Sequence, residues 1–115
     1  MNGFMELLQF YKCLADETRL KSLLLIQHEH ELCVCELTHA LDQSQPKVSR
    51  HLALLRQQNI VIDRRKGQWV HYKINPEMPD WAHQILVLTL ENSLESIANE
   101  LVRLTEMNNR PVTCN

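Results

Sequence analysis

The sequence predicts a mainly α-helical domain that carries one small β-hairpin. Apolar residues recur every three or four positions over most of the chain, which is typical of amphipathic helices. One short segment departs from this spacing, because Val, Ile, Trp and Tyr flank a Lys-Gly pair there, as in a β-hairpin. With 115 residues, of which 44% are hydrophobic, the chain favours one domain with a small core. We expect this domain to occupy residues 1–108 and residues 109–115 to form a flexible tail.

Two helices are predicted near the N-terminus. The first spans FMELLQFYKCLAD, and the second spans ETRLKSLLLIQ and runs to His28. Asp16 or Thr18 would cap the second helix, because both side chains can accept a hydrogen bond from a backbone N–H of its first turn. The predicted apolar face of the first helix comprises Phe4, Leu7, Leu8, Tyr11 and Leu14.

A short third helix and a longer fourth helix follow, separated only by a turn at Asp42 and Gln43. The third spans CVCELTHALD. In the fourth, Ser44 is a suitable N-cap, and Pro46 falls in the first turn, where its missing N–H costs little. The predicted buried stripes are Val34, Leu37 and Leu41 in the third helix and Val48, Leu52 and Leu55 in the fourth. Two short helices with so tight a connection predict a helix-turn-helix.

The segment IVIDRRKGQWVHYKIN predicts the β-hairpin, with a turn around Gly67. Three cations, Arg64, Arg65 and Lys66, are expected on its protruding tip. A hairpin that directly follows a helix-turn-helix is typical of a winged helix-turn-helix, in which the hairpin is the wing. The order of the elements supports this interpretation more strongly than any single element does.

From Pro79 to about Glu106 the sequence predicts one long helix. Its apolar stripe comprises Val87, Leu90, Leu94, Ile97, Leu101 and Leu104. This stripe could pack within the chain or form a seam between two chains, as in a short coiled coil. Because so small a domain offers a long helix little to pack against, we expect a homodimer that forms through the N- and C-terminal helices.

Charge is distributed unevenly along the chain, although the formal net charge is only −2. Residues 1–41 carry −3, residues 42–73 carry +5 and residues 74–115 carry −4. A basic segment between acidic ends is typical of a nucleic-acid surface, although a solvated basic face would explain the charge alone. The basic residues fall on the helix-turn-helix and on the wing, and this placement favours DNA as the partner.

We expect the fourth helix to present polar side chains to base edges and the wing to contact phosphates or the minor groove. Arg50 can contact guanine through two hydrogen bonds, and glutamine can contact adenine in the same way. His51 lies at the edge of the buried stripe, so packing or a phosphate contact suits it better than base reading. The candidate DNA-contacting residues are Gln43, Ser44, Gln45, Lys47, Ser49, Arg50, His51, Arg64, Arg65 and Lys66.

Two cysteines stand two positions apart in ELCVCEL, where the third helix begins. The chain contains no membrane span and no basic, apolar leader, so we expect a cytoplasmic protein. In a reducing compartment such a pair is more often metal-binding or catalytic than disulfide-bonded. Side chains two apart on a regular helix point about 200° apart. Cys33 and Cys35 can therefore converge only if Cys33 lies in an extended lead-in or if the first turn unwinds.

Four stretches of the sequence together carry a resemblance to a known family: KCLADETRL, ELCVCEL, DQSQPKVSRHLALLR and GQWVHYKINP. They resemble the ArsR-type arsenic-responsive repressors, which are small metal-sensing winged-helix proteins. The resemblance implies a homodimer that represses an arsenic-resistance operon and leaves its operator DNA when arsenite or antimonite binds Cys33 and Cys35. The family's motif has a third cysteine three residues after the second, and Thr38 stands at that position here. The third ligand therefore does not carry over.

Three sources of a third ligand stay open: Cys13, Cys114 from either subunit, or a small thiol or hydroxide from solution. Cys13 is more typical of a buried structural cysteine and Cys114 of an exposed bystander, so our leading hypothesis is two protein thiols with an outside ligand. His28 and His30 precede the thiol pair and could bind zinc together with Glu36. Histidines at the end of a helix more often complement its dipole.

No zinc site is expected on the C-terminal helix, where Asp80 and His83 lack the distal histidine that a paired site would need. An enzyme with Cys33 as its nucleophile is disfavoured, because the chain has two glycines and no glycine-rich loop. A thiol redox switch, a zinc-responsive repressor and a constitutive DNA-binding protein stay as alternatives to the metalloid sensor.

Overall fold

Helices and one small antiparallel sheet make up the computed structural model, which describes residues 3–107 and 110. The elements in chain order are α1 (Gly3–Leu14), α2 (Glu17–Glu29), β1 (Leu32–Cys33), α3 (Val34–Leu41), α4 (Gln45–Gln57), β2 (Val61–Lys66), β3 (Trp69–Ile74), α5 (Asp80–Asn92), a short 3₁₀ helix (Leu94–Ile97) and α6 (Ala98–Glu106). The strands lie in the order β1-β3-β2. A helix-turn-helix followed by a hairpin is a winged helix-turn-helix, so the predicted fold is confirmed.

Side-chain caps fix where α2 and α4 begin. The carboxylate of Asp16 accepts a hydrogen bond from the backbone N–H of Arg19, so Asp16 is the N-cap of α2. The hydroxyl of Ser44 accepts from the N–H of Lys47, and Pro46 occupies the first turn of α4, as predicted. Between α3 and α4, Asp42 adopts a left-handed backbone conformation with φ 54°. Aspartate tolerates this conformation better than most residues, so the turn closes without a glycine.

The core forms around α2, whose central residues are buried on nearly every side. The predicted stripes of α3 and α4 pack against it: Leu37, Val48, Leu52 and Leu55 are fully buried, Leu41 is largely buried and Val34 is partly buried. Burial of such leucines contributes about 1.5–3 kcal/mol each relative to exposure. The helix-turn-helix is therefore fastened to α2 along its whole length. No helix within residues 3–107 is long and apolar enough to cross a membrane.

The prediction of one continuous helix after Pro79 is wrong. The chain leaves the α-helical conformation at Ser93, where φ is −138°, and resumes it at Ala98 after the 3₁₀ turn. Polar side chains loosen the end of α5, because Asn92 donates a hydrogen bond to the carbonyl of Leu88 and Thr89 donates to that of Ile85. The bend lets α6 turn back onto the domain.

This bend divides the predicted apolar stripe into two environments. Ile97 and Leu104 are fully buried in the core of the same chain, whereas Val87 and Leu94 are exposed by 37% and 46%. A single seam between two chains is therefore wrong for residues 97–104, whose apolar side faces the domain itself. Only the exposed part of the stripe, on α5 and the 3₁₀ turn, stays available to another chain.

The apolar face of α1 is also used differently from the prediction. Phe10 and Cys13 occupy the core, while Leu8 and Tyr11 are exposed by 42% and 49%. The ring of Phe10 meets Trp81 of α5 edge to face, with centroids 5.3 Å apart. The side chain of Phe4 lies outside the described part of the structure. One face of α1 thus anchors the helix to its own domain, and a second apolar face points outward.

The sheet contains a strand that the sequence did not predict. Cys33 pairs with His71 and Leu32 pairs with Tyr72, so β1 joins the wing hairpin as a third strand. Hairpin pairing runs from Val61↔Ile74 to Lys66↔Trp69. The expected position of Arg64, Arg65 and Lys66 on the hairpin tip is therefore wrong: they form the last three residues of β2, and Gly67 (φ 62°) and Gln68 make the turn.

Candidate thiol site and DNA-binding surface

The thiol site lies where β1 passes directly into α3. Cys33 is the N-cap of α3 in an extended conformation, with φ −83° and ψ 163°, and Cys35 lies in the first turn. Their Cα atoms are 5.4 Å apart, and their sulfur atoms are joined as a disulfide. Of the two geometries that allow convergence, the chain adopts the extended lead-in. The two sulfurs can therefore act on one atom without unwinding of the helix.

Cys33 also caps α3, and Glu36 completes a reciprocal pair of hydrogen bonds. The sulfur of Cys33 accepts from the backbone N–H of Glu36 at 3.4 Å, and Oε1 of Glu36 accepts from the N–H of Cys33 at 2.9 Å. This is a capping box in which a cysteine sulfur replaces the usual hydroxyl oxygen. The C-x-x-E spacing could have indicated it from the sequence. The sequence offers Glu36 as a possible zinc ligand, but in the structure its Oε1 belongs to this capping box.

An arginine from the C-terminal segment neutralises this corner. Nε of Arg110 donates to Oε2 of the fully buried Glu36 at 2.7 Å, and Nη2 donates to Glu29 at 3.1 Å. Burial alone would lower the pKa of Arg110, but its hydrogen bonds to Glu36 and Glu29 outweigh burial and raise that pKa. Burial would raise the pKa of Glu29, but Arg110 and His28 lower it. The carboxylate of Glu36, next to the thiol pair, is therefore ion-paired with an arginine that is distant in sequence.

Thr38, at the position of the family's third cysteine, is engaged locally. Its hydroxyl donates to the carbonyl of Cys35 at 2.9 Å. Cys13 is only 3% exposed and belongs to the core, and burial raises the pKa of its thiol despite the nearby charge of Arg19. Cys114 lies outside the described residues. Within residues 3–107 and 110, no three His, Cys, Asp or Glu side chains come together as a metal-binding group.

The histidines upstream of the thiol pair do not join it. His28 contacts the neighbouring Glu29 at 2.7 Å, and the exposed His30 ends α2 with a φ of 75°. These are positions at a helix C-terminus, where histidine complements the dipole. The described contacts thus give the zinc alternative no assembled ligand set.

A shallow depression connects the thiol corner with the start of α4. It is lined by residues of α3, the turn and α6, including Cys35, Thr38, Ser44 and Arg103. Nε of Arg103 donates to the carbonyl of Ala40 at 2.7 Å, which fastens α6 to the C-terminal end of α3. α3 is thus held near its two ends by arginines from the C-terminal region.

The fourth helix presents a polar face around its first two turns. Ser44, Gln45, Lys47 and Arg50 are exposed, as a DNA-reading face requires. The side chain of Gln45 donates to the hydroxyl of Ser49 at 2.9 Å, one helical turn later. These five residues lie together on one surface, which we call the reading face.

Gln43 and His51 differ from this group because they bind the domain itself. Oε1 of Gln43 accepts from the hydroxyl of Thr18 at 2.9 Å. Nδ1 of His51 lies 3.2 Å from Nη1 of Arg19 and 3.9 Å from Oδ2 of Asp16. Burial lowers the pKa of His51; the charge of Asp16 opposes this effect, and the charge of Arg19 adds to it. His51 is therefore a packed link between α2 and α4.

The wing cations have an acidic partner that the sequence did not suggest. Glu31 lies 3.3 Å from Nη2 of Arg64 and 3.3 Å from Nζ of Lys66, just before β1. Arg65 is exposed. Glu31 itself is mostly buried; burial would raise its pKa, but the two cations outweigh that and lower it. Two of the three wing cations that are predicted to contact DNA are thus ion-paired with Glu31 in this structure.

Comparison with known proteins agrees with these features. Residues 16–63, from the N-cap of α2 into β2, match the family of bacterial regulatory proteins of the arsR family. The chain is 54% identical over 101 residues to the arsenic resistance transcriptional regulator ArsR1 of Pseudomonas putida, covering 88% of this chain and 79% of that protein. It is 55% identical over 84 residues to the arsenical resistance operon repressor of Escherichia coli, covering 73% and 72%.

A solved structure shares the same fold. The AntR antimony-specific transcriptional repressor superposes with a TM-score of 0.65 and 30% sequence identity, covering 79% of each chain. The relatives are transcriptional regulators rather than enzymes, which confirms the expectation that the chain is not an enzyme with Cys33 as its nucleophile. The chain belongs to the ArsR family of bacterial transcriptional regulators, among its arsenic-resistance repressors.

Proposed function

We propose that the protein is a homodimer that represses an arsenic-resistance operon and leaves its operator DNA when arsenite or antimonite binds Cys33 and Cys35. The observation that carries this proposal is the convergence of the two sulfurs at the N-cap of α3, the helix whose far end leads through Asp42 into α4. The names of its relatives, which include arsenical-resistance regulators and an antimony-specific repressor, support a metalloid as the inducer.

The chemistry of the corner suits a soft, thiophilic centre. Thiolates are the ligands that soft centres prefer, and the hydroxyl of Thr38 is a poor substitute. The N-terminus of α3 favours negative charge on both sulfurs, since backbone N–H groups and the helix dipole point toward them. We infer two protein thiolates and one outside ligand, a hydroxide or a small thiol, because Thr38 is engaged with Cys35 and Cys13 is buried in the core.

A route from the thiol corner to DNA runs through α3. Bonds at the sulfur of Cys33 alter the group that caps this helix, and its far end leads through the left-handed Asp42 into α4. Gln43 keeps α4 in place through its backbone bond to Thr38 and its side-chain bond to Thr18. A small shift of α3 therefore changes the aim of the reading face. Such coupling between two sites typically amounts to about 1–3 kcal/mol and is reciprocal.

On DNA, the reading face would supply base contacts, and Arg64, Arg65 and Lys66 would supply phosphate or minor-groove contacts. Arg50 is the main base-reading candidate, because its guanidinium is exposed and can bind guanine through two hydrogen bonds. Lys47 sits one turn earlier and suits a phosphate. Gln43 and His51 would act mainly by holding α4 on α2.

A dimer surface is available on the outward apolar faces of α1 and α5. Tyr11 is exposed by 49% and Leu88 by 58%, and Phe10 and Trp81 tie the two helices together beneath them. Exposed apolar residues on neighbouring elements are typical of protein interfaces. We infer that a second copy of the chain covers this surface.

A redox switch is the second candidate function. It is favoured by one specific observation, the disulfide between Cys33 and Cys35. Oxidation of the two thiols would constrain the same capping corner and could release DNA without a metalloid.

The test is fluorescence anisotropy of the reduced protein on its own promoter DNA, with arsenite, antimonite, zinc or diamide titrated into the complex. Release by arsenite or antimonite alone supports the metalloid sensor, and release by diamide alone supports the redox switch. Release by zinc alone, or no release at all, would contradict both.

Three variants localise the response. Cys33→Ser and Cys35→Ser should bind DNA and lose release by arsenite; serine is itself a good N-cap, so the fold should tolerate the first change. Cys13→Ala is the control and should respond like the parent chain. A full response in both serine variants would sink the assignment of the thiol pair.

A further inference from the structure

The wing and the thiol pair share one sheet. Cys33 of β1 pairs with His71 of β3, which in turn pairs with Arg64 of β2. Directly paired residues project from the same face of a sheet, so these three form one row across it. His71, in the middle of the row, is only 1% exposed, and its Nδ1 has no hydrogen-bond partner within the described chain. The row is therefore buried at Cys33 and His71 and reaches solvent at Arg64.

Glu31 extends this connection to the cations of the wing. It stands two residues before Cys33 and binds Arg64 and Lys66, which lie 33 and 35 positions later in the chain. The side chains of Glu31 and Lys66 are 14% and 17% exposed, while that of Arg64 is 62% exposed. The carboxylate of Glu31 and the amine of Lys66 are thus largely buried in this contact, whereas the side chain of Arg64 stays open to solvent.

A carboxylate and a phosphate compete for the same donors. Arg64 and Lys66 cannot give their full set of hydrogen bonds to a DNA phosphate while Glu31 holds them. A shift of β1 moves Glu31 together with Cys33, because Glu31 directly precedes this two-residue strand, which ends at Cys33. The position of the thiol pair therefore bears on how freely the wing cations can reach DNA.

We propose that Glu31 is a positioning residue that couples the thiol site to the wing, by taking Arg64 and Lys66 from DNA when the metalloid is bound. This inference rests on the proposed function. If a metalloid releases DNA, linkage requires that it favour an arrangement with lower DNA affinity. The ion pairs of Glu31 provide such an arrangement, and they act in addition to any movement of α4.

The test compares Glu31→Gln with Asp63→Asn. Both changes remove one carboxylate near the wing; in the described part of the chain Asp63 pairs with Arg56 at 3.0 Å, whereas Glu31 pairs with Arg64 and Lys66. DNA affinity of the reduced proteins is measured with and without saturating arsenite, and the ratio of the two affinities is the response. Arsenite uptake is followed separately as the loss of reactive thiols.

We expect Glu31→Gln to tighten DNA binding without arsenite and to reduce the response about two- to five-fold, as loss of a partly exposed ion-pair network would. Asp63→Asn should keep the response of the parent chain. Arsenite uptake should be equal in all three proteins. The double variant Arg64→Gln/Lys66→Gln approaches the same contact from the other side and should weaken DNA binding and also reduce the response.

Three results would overturn the coupling role. They are a parental response in Glu31→Gln, an equal reduction in Glu31→Gln and Asp63→Asn, or a parental response in the double variant. Failure of the proposed function looks different, because the parent chain itself would then take up no arsenite or keep its DNA.

Discussion

The N-termini of α3 and α4 are built from the same local motif and lie in opposite surroundings. Ser44 caps α4 in the open, with an exposed surface around it, whereas Cys33 caps α3 with no exposed area at all. At α4 Ser44 both caps the helix and lies on the reading face, but Arg50, the main base-reading candidate, takes no part in the cap. At α3 the capping sulfur is itself a proposed ligand atom. Ligand binding and helix geometry are therefore inseparable at α3, while α4 can vary Arg50 without losing its start.

The largest difference is expected between two arginine ion pairs, one beside the start of α3 and one between the end of α4 and β2. Arg110→Ala leaves the buried carboxylate of Glu36 without its cation and should lower the free energy of unfolding by roughly 2–4 kcal/mol. Arg56→Ala removes a surface pair with Asp63 and should cost about 0–1 kcal/mol. Urea unfolding of both variants measures the two values. Equal costs would mean that the thiol corner is no more tightly built than the surface.

Next in size is the effect of the reading face on DNA. Arg50→Ala should weaken operator binding by roughly 1–3 kcal/mol and relax the base preference at one position. Lys47→Ala should weaken binding to all sequences alike and reduce the slope of affinity against salt by about 1. Neither change should alter unfolding, because both side chains are exposed. Binding titrations on operator and scrambled DNA at several salt concentrations separate the two. Unaltered binding and specificity in Arg50→Ala would refute the reading face.

A smaller effect is expected at the cap of α4. Ser44→Ala should cost about 1 kcal/mol of stability, because the N–H of Lys47 loses its acceptor at the start of the helix. Ser49→Ala, on the same helix but away from the cap, should change stability by under about 0.5 kcal/mol. Thermal unfolding of the pair gives the comparison. If the two substitutions were equivalent, the cap would contribute nothing measurable.

The smallest effect concerns pH and the contact between α2 and α4. The pKa of His51 is lowered by burial and by Arg19, so below the ordinary pKa of histidine the unfolded chain binds more protons than the folded one. Stability should therefore fall as the pH drops from about 7.5 to 5.5, around the ordinary histidine pKa of about 6.5. His51→Gln should show a flatter profile. Denaturant unfolding at three pH values measures this, and identical profiles would rule out the His51 contribution.

The helix-turn-helix could be predicted from the sequence in detail because its determinants are local. Ser44, Pro46 and the stripe ending at Leu55 lie within a dozen residues of one another, and each occupies its predicted place. Side-chain directions on a helix left two geometries for Cys33, an extended lead-in or an unwound first turn, and the structure has the first.

The remaining features depend on contacts between distant residues. Arg110 meets Glu36 across 74 positions, and Glu31 meets Arg64 across 33, so no local spacing indicates either pair. Helical periodicity predicted an apolar face on α1, but it did not show which apolar residues would meet the core. Phe10, which is outside the predicted face, packs there. The end of α5 was not predicted, because apolar residues keep their helical spacing in the sequence past Ser93 although the backbone bends there.

Arg110 also matters for anyone who would turn this protein into a biosensor. A chain shortened to end at Met107 would keep every described helix and strand, yet Glu29 and Glu36 would face each other without the cation between them. The damage would appear in the thiol corner, far along the chain from the cut. Reporter fusions are therefore better attached with the native C-terminal segment intact.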